Sequence, residues 1–427
     1  MFEKILKNKS SILKVTVFGL FLLLFLNYMT NFLHIIDMQW FKTWQNDSDS
    51  LIIGRGYIIK HFGFAHNYFL LPNSAGFRQG FFDVNNIYTY TSQFGLAGNI
   101  LGLIINLPFG ITMCHILLCS IFCGLICYIV KWIYEEFGVF SALGAFVMAF
   151  LSKWLIVSVR DIYWILFVFI LPFVISIYFL KKEEKLGKSY LTIWSILNFC
   201  AVAFKSLSGF EGITVVLINS ILPIFYYALK NKWEWKKFFK VFFIVGFSGL
   251  FAFLFAIVAH LIQLYFYFDH SWQEAIKLFN NDIARRTAAT TFQGDLPSVY
   301  LTSLQVSKSK VLNLYLTTGK PIIFGIRMNL ILTVFFASAA ISIILNKIKP
   351  LSETRNKLYS FIAITTLSIL SPVSWYVLAS PHSYIHRSIN YMFWSLPTLL
   401  LVGAFVVYVI VILFKTIASY FKRNVSL

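Results

Sequence analysis

The stretch VFFIVGFSGLFAFLFAIVAHLIQLYF, residues 241–266, contains no Asp, Glu, Lys or Arg. At a rise of about 1.5 Å per residue, a helix of this length reaches roughly 40 Å, more than the ~30 Å hydrocarbon core of a bilayer. In lipid a segment must satisfy its own backbone hydrogen bonds, and a helix does so internally. The run lacks the polar–apolar alternation of a barrel strand. The whole run reads as 239–266, and comparable apolar runs fall at 12–34, 100–131, 138–158, 162–180, 189–204, 212–229, 328–346, 357–379 and 391–414. The fold expected is all-α: a polytopic membrane protein of about ten transmembrane helices, built as a single domain over residues 1–427. Composition agrees, with 59% hydrophobic and 12% charged residues, against about 25% charged in a soluble domain.

The net charge of +19 would suggest nucleic acid in a soluble protein. Here the cations sit in short clusters between apolar runs, the pattern that sets membrane topology. Six short segments hold 21 of the 36 Lys and Arg: the N-terminal tail, Lys131, Lys181–Lys188, Lys230–Lys240, Asn346–Lys357 and the tail from Lys415. These segments alternate along the chain, which predicts both termini on the cytoplasmic side. Met1–Lys14 carries four lysines and runs into the first apolar stretch without a small-residue cleavage site, so it reads as an uncleaved first span. Two large loops then face outward, at about 35–99 and 267–327. Cys119, Cys123 and Cys127 share a helix face with no His or acid at ligand spacing, which reads as apolar packing.

Four clusters of ionisable residues fall on the outer side. The first outer loop opens NDSDS, placing Asp47 and Asp49 two apart. On an extended segment both carboxylates would face one way, whereas at a helix start an Asp serves as a cap. Arg160 and Asp161 occupy a turn between spans. Lys205 and Glu211 flank the next one. SPHSYIHRSIN brings His382, Tyr384, His386 and Arg387 to a third. Ionisable groups near the membrane are functional candidates by default. Cations at headgroup depth suit a lipid-linked phosphate, with Arg160, Lys205 and Arg387 as anchors and a carboxylate as base. His382 and His386, four apart, share a helix face but lack a third ligand for zinc, so they read as hydrogen-bonding groups and not as a metal site. In the second outer loop, Ser271-Trp-Gln-Glu274 has the form of a capping box. An amphipathic helix follows, with Lys277, Arg285 and Arg286 among its polar residues. It fits either the outer leaflet surface or the span ends.

In layout the chain resembles the GT-C superfamily of membrane glycosyltransferases. The resemblance rests on a first span, an outer loop opening with an acidic motif and a helix ending in Gly (NDSDSLIIGRGYIIKHFGF), then YTSQFGLAG before the second span, and a second large outer loop. It implies an enzyme of hexosyltransferase type in the bacterial inner membrane. A sugar would move, with inversion, from a polyprenyl-phosphate donor to a glycan or lipid acceptor of the cell envelope. Asp47 or Asp49 would be the base. The family usually has two adjacent acids, whereas Ser48 separates them here. Arg160, Asp161, Lys205, Glu211, His382, Tyr384, His386 and Arg387 would line the donor-phosphate and substrate site. No cofactor is required by the resemblance, although it admits a divalent cation, Mg or Mn. A surface-polysaccharide polymerase or ligase is the alternative. A flippase would want midplane charges and repeat symmetry, which the sequence lacks.

Overall fold

A computed structural model of the chain describes residues 2–44, 46–74, 87–287, 298–348 and 355–425. Parts of both outer loops (75–86 and 288–297) and of one lysine-bearing connection (349–354) lie outside the described residues, as do the side chains of 2–11 and of Asp47.

The chain is helical almost throughout. In order the helices are α1 (Phe2–Thr30), α2 (Met38–Thr43), α3 (Asn46–Phe62), α4 (Leu96–Ile105), α5 (Gly110–Phe137), α6 (Val139–Leu151), α7 (Lys153–Ser158), α8 (Leu171–Leu186), α9 (Leu191–Ser208), α10 (Ile213–Lys230), α11 (Trp235–Tyr267), α12 (Trp272–Thr287), α13 (Ser298–Leu304), α14 (Lys308–Asn313), α15 (Met328–Ile348), α16 (Arg355–Ser368), α17 (Leu370–Leu378), α18 (Ser380–Ile385), α19 (Arg387–Asn390) and α20 (Thr398–Val425). One antiparallel hairpin interrupts them: β1 (Leu71–Ser74) pairs with β2 (Ile87–Tyr90), with Leu71 opposite Tyr90.

Among the described residues, eight helical segments are long and apolar enough to cross a membrane. They match eight of the ten expected runs. The other two runs are broken. Residues 138–158 divide at Ser152 into α6 and α7, because Ser152 leaves helical geometry and its hydroxyl meets that of Ser395 at 2.9 Å. Residues 162–180 begin irregularly, with Ile165 in the left-handed region, and become α-helical only at Leu171. The early part of the 100–131 run is also separate, since α4 ends before a turn at Leu107–Phe109 and α5 begins at Gly110.

α6 packs along α20 at a glycine contact. A Cβ on Gly144 would lie 2.5 Å from the Gly403 carbonyl oxygen, and one on Gly403 would lie 2.9 Å from the Gly144 oxygen. Small residues let membrane helices approach this closely. Gly144→Val is therefore expected to push the two helices apart. The check is fluorescence size-exclusion of detergent extracts, where the monodisperse peak should fall sharply relative to wild type.

The two ends of the bundle differ in charge chemistry. At one end, Lys181 pairs with Glu135, Lys230 bridges Glu136 and Glu184, Lys237 meets Glu183, and Lys357 approaches Glu136 at 3.6 Å. These pairs join α5, α8, α10, α11 and α16 where their lysine-bearing connections emerge. The opposite end gathers α2, α3, the hairpin, α7, α12 and α17–α19, and it holds the site.

Candidate functional site

α3 begins with Asn-Asp-Ser-Asp, residues suited to a helix start, and ends before Gly63 at φ 92°. Of the two geometries open at Asp47 and Asp49, extended segment or helix start, the helix start is the one that forms. On a helix, positions 47 and 49 are separated by about 200° around the axis, in contrast to the shared face of an extended segment. Arg55, fully buried on the same helix, donates through Nε to Asn99 Oδ1 at 2.7 Å and through its other nitrogens to the Phe64 and His66 carbonyls at 2.5 and 3.0 Å. This clamp holds the left-handed run Asn67–Phe69 that leads into the hairpin.

Asp49 is buried in the first turn of α3. Its Oδ1 accepts from the Ile162 amide at 3.0 Å, and its Oδ2 lies 3.3 Å from His115 Nε2. Asp161 accepts from the Tyr163 and Trp164 amides, each at 2.9 Å, and from the Ser48 hydroxyl at 2.7 Å. Burial pushes the Asp49 carboxyl up to about 8, against the opposing pull of the Ile162 amide and Arg160. Burial, then the charge of Asp49, pushes Asp161 up to about 7. A carboxyl raised in the folded state favours folding while it is protonated, and that contribution is lost as pH rises through the folded value. For Asp49 the loss develops between the ordinary carboxylate range and about pH 8. Asn at this position carries no such loss. The melting temperature of Asp49→Asn minus that of wild type should therefore grow between pH 5 and pH 9; a gap that stays constant would exclude an ionisation cost at Asp49.

Above this pair opens a cavity of about 700 Å³. Four distant segments wall it: Ser48 and Leu51 of α3, Tyr163 and Trp164, Glu211, and His382 with His386. The hairpin supplies Tyr88 and Tyr90, and α12 supplies Leu278, Asp282, Arg285 and Arg286. All four clusters expected from the sequence thus meet at one end of the bundle. The Ser271 hydroxyl caps α12 by accepting from the Glu274 amide at 3.3 Å. Trp272, Ile276 and Ile283 are exposed, while Arg286 is buried against the cavity.

The electrostatics of the cavity wall centre on Arg286, whose guanidinium lies 3.4 Å from Glu211 Oε1. Burial raises Glu211, but Arg286 and then Lys205 lower it further, so it stays below its ordinary value and ionised. Burial opposes the Arg286 charge, and Glu211 more than restores it. Arg285 meets Asp282 at 2.9 Å and the Ser92 hydroxyl at 3.3 Å. Burial drives both histidines down, His386 to about 4 with Glu211 resisting and His382 well below its ordinary value, so both imidazoles are neutral at pH 7. Their rings lie 4.5 Å apart, as the four-residue spacing implied. Among the described residues, two buried polar atoms of the cavity lining, Arg286 Nε and His382 Nδ1, have no hydrogen-bond partner.

Not every expected residue reaches the cavity. Arg160 stacks on Phe41 at 3.7 Å and donates to the Phe41 carbonyl at 2.8 Å. The Lys205 ammonium donates to the Gly209 carbonyl at 2.5 Å. Arg387 is exposed and folds over the Tyr384 ring at 4.6 Å. The cations at the cavity are instead Arg285 and Arg286. Their signal in the sequence is Asp282-x-x-Arg285-Arg286, an acid three and four residues before two arginines on one amphipathic helix. Lipid phosphates alone would not call for that acid. His115, Tyr90 and Tyr163 carry no comparable signal. Among the described residues no three His, Cys, Asp or Glu side chains form a metal-ligand set.

No family model, curated protein or solved structure matches the chain significantly. What stands is a polytopic helical membrane protein with a polar cavity at one end.

Proposed function

We propose that the chain is a membrane glycosyltransferase of the GT-C kind, taking a sugar from a polyprenyl-phosphate donor to a glycan or lipid acceptor of the bacterial cell envelope. The observation that carries this is the cavity itself. It joins Ser48 and Leu51, at the start of α3, to a wall where Arg286 Nε and the Nδ1 of a neutral His382 have no hydrogen-bond partner among the described residues. Buried polar atoms normally find partners, and a ligand with several oxygens would supply them. The lysine-rich far end favours a cytoplasmic placement there, with the cavity on the periplasmic side.

In the proposed reaction the acceptor hydroxyl oxygen forms a bond to the anomeric carbon as the bond from that carbon to the phosphate oxygen breaks. The hydroxyl proton passes to a carboxylate, and the polyprenyl phosphate leaves as an anion. A single displacement inverts the anomeric centre. Arg286 and Arg285 would stabilise the leaving phosphate by charge-assisted hydrogen bonds, and His382 and His386 would orient substrate oxygens. Asp49 is engaged inward with Ile162 and His115, so the base is assigned to Asp47, in the first turn of α3. The test is turnover by purified protein in liposomes, with lipid extract from a strain lacking the gene as the source of donor and acceptor. Loss of a polyprenyl-phosphate sugar species by mass spectrometry, with gain of a glycosylated product, supports transfer. An extract that keeps its donor pool, while restoring the gene restores the missing glycan in cells, would refute it.

A further inference from the structure

A second polar feature lies on the same end of the molecule, outside the cavity. Trp154 of α7 is fully buried, and its indole Nε1 donates to the Pro321 carbonyl at 3.1 Å. Tyr391 stacks on it at 5.0 Å, while Trp40 and Trp44 meet it edge-on at 5.8 and 6.1 Å. Two ammonium groups approach this cluster. Lys153 Nζ lies 4.9 Å from the Trp154 ring centre, and Lys320 Nζ lies 5.9 Å from the same ring and 5.6 Å from that of Trp40. Both lysines are held at the backbone. The Lys320 amide donates to the Tyr391 hydroxyl at 2.9 Å, and Lys153 follows Ser152, which is tied to Ser395.

Four lysines at the far end each have a glutamate partner. Among the described residues, neither Lys153 nor Lys320 has one. Burial and then the charge of Lys320 lower Lys153 to about 8, as expected of two like charges converging in a partly desolvated place. Indole faces offset part of that repulsion, but an anion between the ammonium groups would offset more. Paired cations beside an aromatic cluster suit a phosphate, and in that cluster Trp154 is enclosed while Trp40 is half-buried.

We infer that Lys153 and Lys320, beside Trp40 and next to the enclosed Trp154, form a binding site for a phosphate-bearing ligand, separate from the cavity. A phospholipid headgroup and a sugar phosphate share this chemistry. The inference does not depend on the transferase proposal.

The test uses the full chain in nanodiscs, with two probes. One is phosphatidylglycerol added to phosphatidylcholine discs, counted as lipid retained in native mass spectrometry. The other is glucose 1-phosphate titrated into pure phosphatidylcholine discs, followed by tryptophan fluorescence. The expected result is saturable binding of one probe, weakened at least tenfold in Lys153→Gln/Lys320→Gln, kept in Lys153→Arg/Lys320→Arg, and unchanged in the control Lys60→Gln/Lys277→Gln. Retention of the lipid identifies a headgroup site, and response to the soluble probe identifies a sugar-phosphate site. If the double glutamine variant does not purify, Lys320→Gln alone, at an exposed position, should show a smaller loss in the same direction. Absence of saturable binding to wild type, equal binding by the glutamine variants, or an equal loss in the control would overturn the inference.

Discussion

Arg286→Met is expected to destabilise the protein by about 3–5 kcal/mol, the usual cost of leaving one member of a buried ion pair uncompensated. Glu211 is 5% exposed, and its ionised form depends on Arg286 first and Lys205 second among the neighbouring charges. Adding Glu211→Gln should recover part of the lost stability, because the carboxylate that lost its guanidinium is removed while Lys205 keeps the Gly209 carbonyl. Transfer activity should not return. In the proposed reaction the guanidinium stabilises a leaving phosphate, and removing one such donor typically costs about 10²–10³ in turnover. Thermal melting of the single and double variants, set beside turnover at equal protein, separates the two roles. Recovery of both stability and turnover in the double variant would reduce Arg286 to a structural partner of Glu211.

The second large effect concerns α3. Asp47→Asn is expected to lower turnover by about 10²–10⁴, the range for removing a positioned general base, with normal melting behaviour. Asp49→Asn should behave differently. It retains an oxygen to accept from the Ile162 amide and removes a costly buried charge, so melting should hold or rise at alkaline pH while turnover falls less than in Asp47→Asn. Equal turnover losses in the two variants would argue against the division of labour drawn between them.

The spans were legible because apolar runs such as 241–266 state their own length. The breaks at Ser152 and Ile165 were not, since both lie inside apolar sequence and arise from tertiary contacts, in the first case with Ser395. The meeting of the α3 start, Asp161, Glu211 and His382–His386 at one end was readable from the alternation of lysine-rich connections, which assigns each turn to a side. Which cations line the cavity was not readable. Arg160 and Lys205 look equivalent to Arg286 in sequence, but Phe41 and the Gly209 carbonyl occupy them. The helix at Asp47 and Asp49 was readable in part: Asn-Asp-Ser-Asp signals a helix start, and that local signal prevails over the extended geometry that would have paired the acids. The hairpin of β1 and β2 left no clear trace, because four-residue strands are too short to show a period.

The central claim is that a donor sugar is consumed at the cavity walled by α3, α12 and α18. The most direct measurement is the pool of polyprenyl-phosphate-linked sugars, by liquid chromatography and mass spectrometry, in cells whose only copy of the gene carries Asp47→Asn, with full-length protein confirmed in the membrane. The predicted result is accumulation of one polyprenyl-phosphate sugar together with a surface glycan lacking the corresponding unit. An unchanged pool and an unchanged glycan, in a background where deletion of the gene alters both, would contradict it.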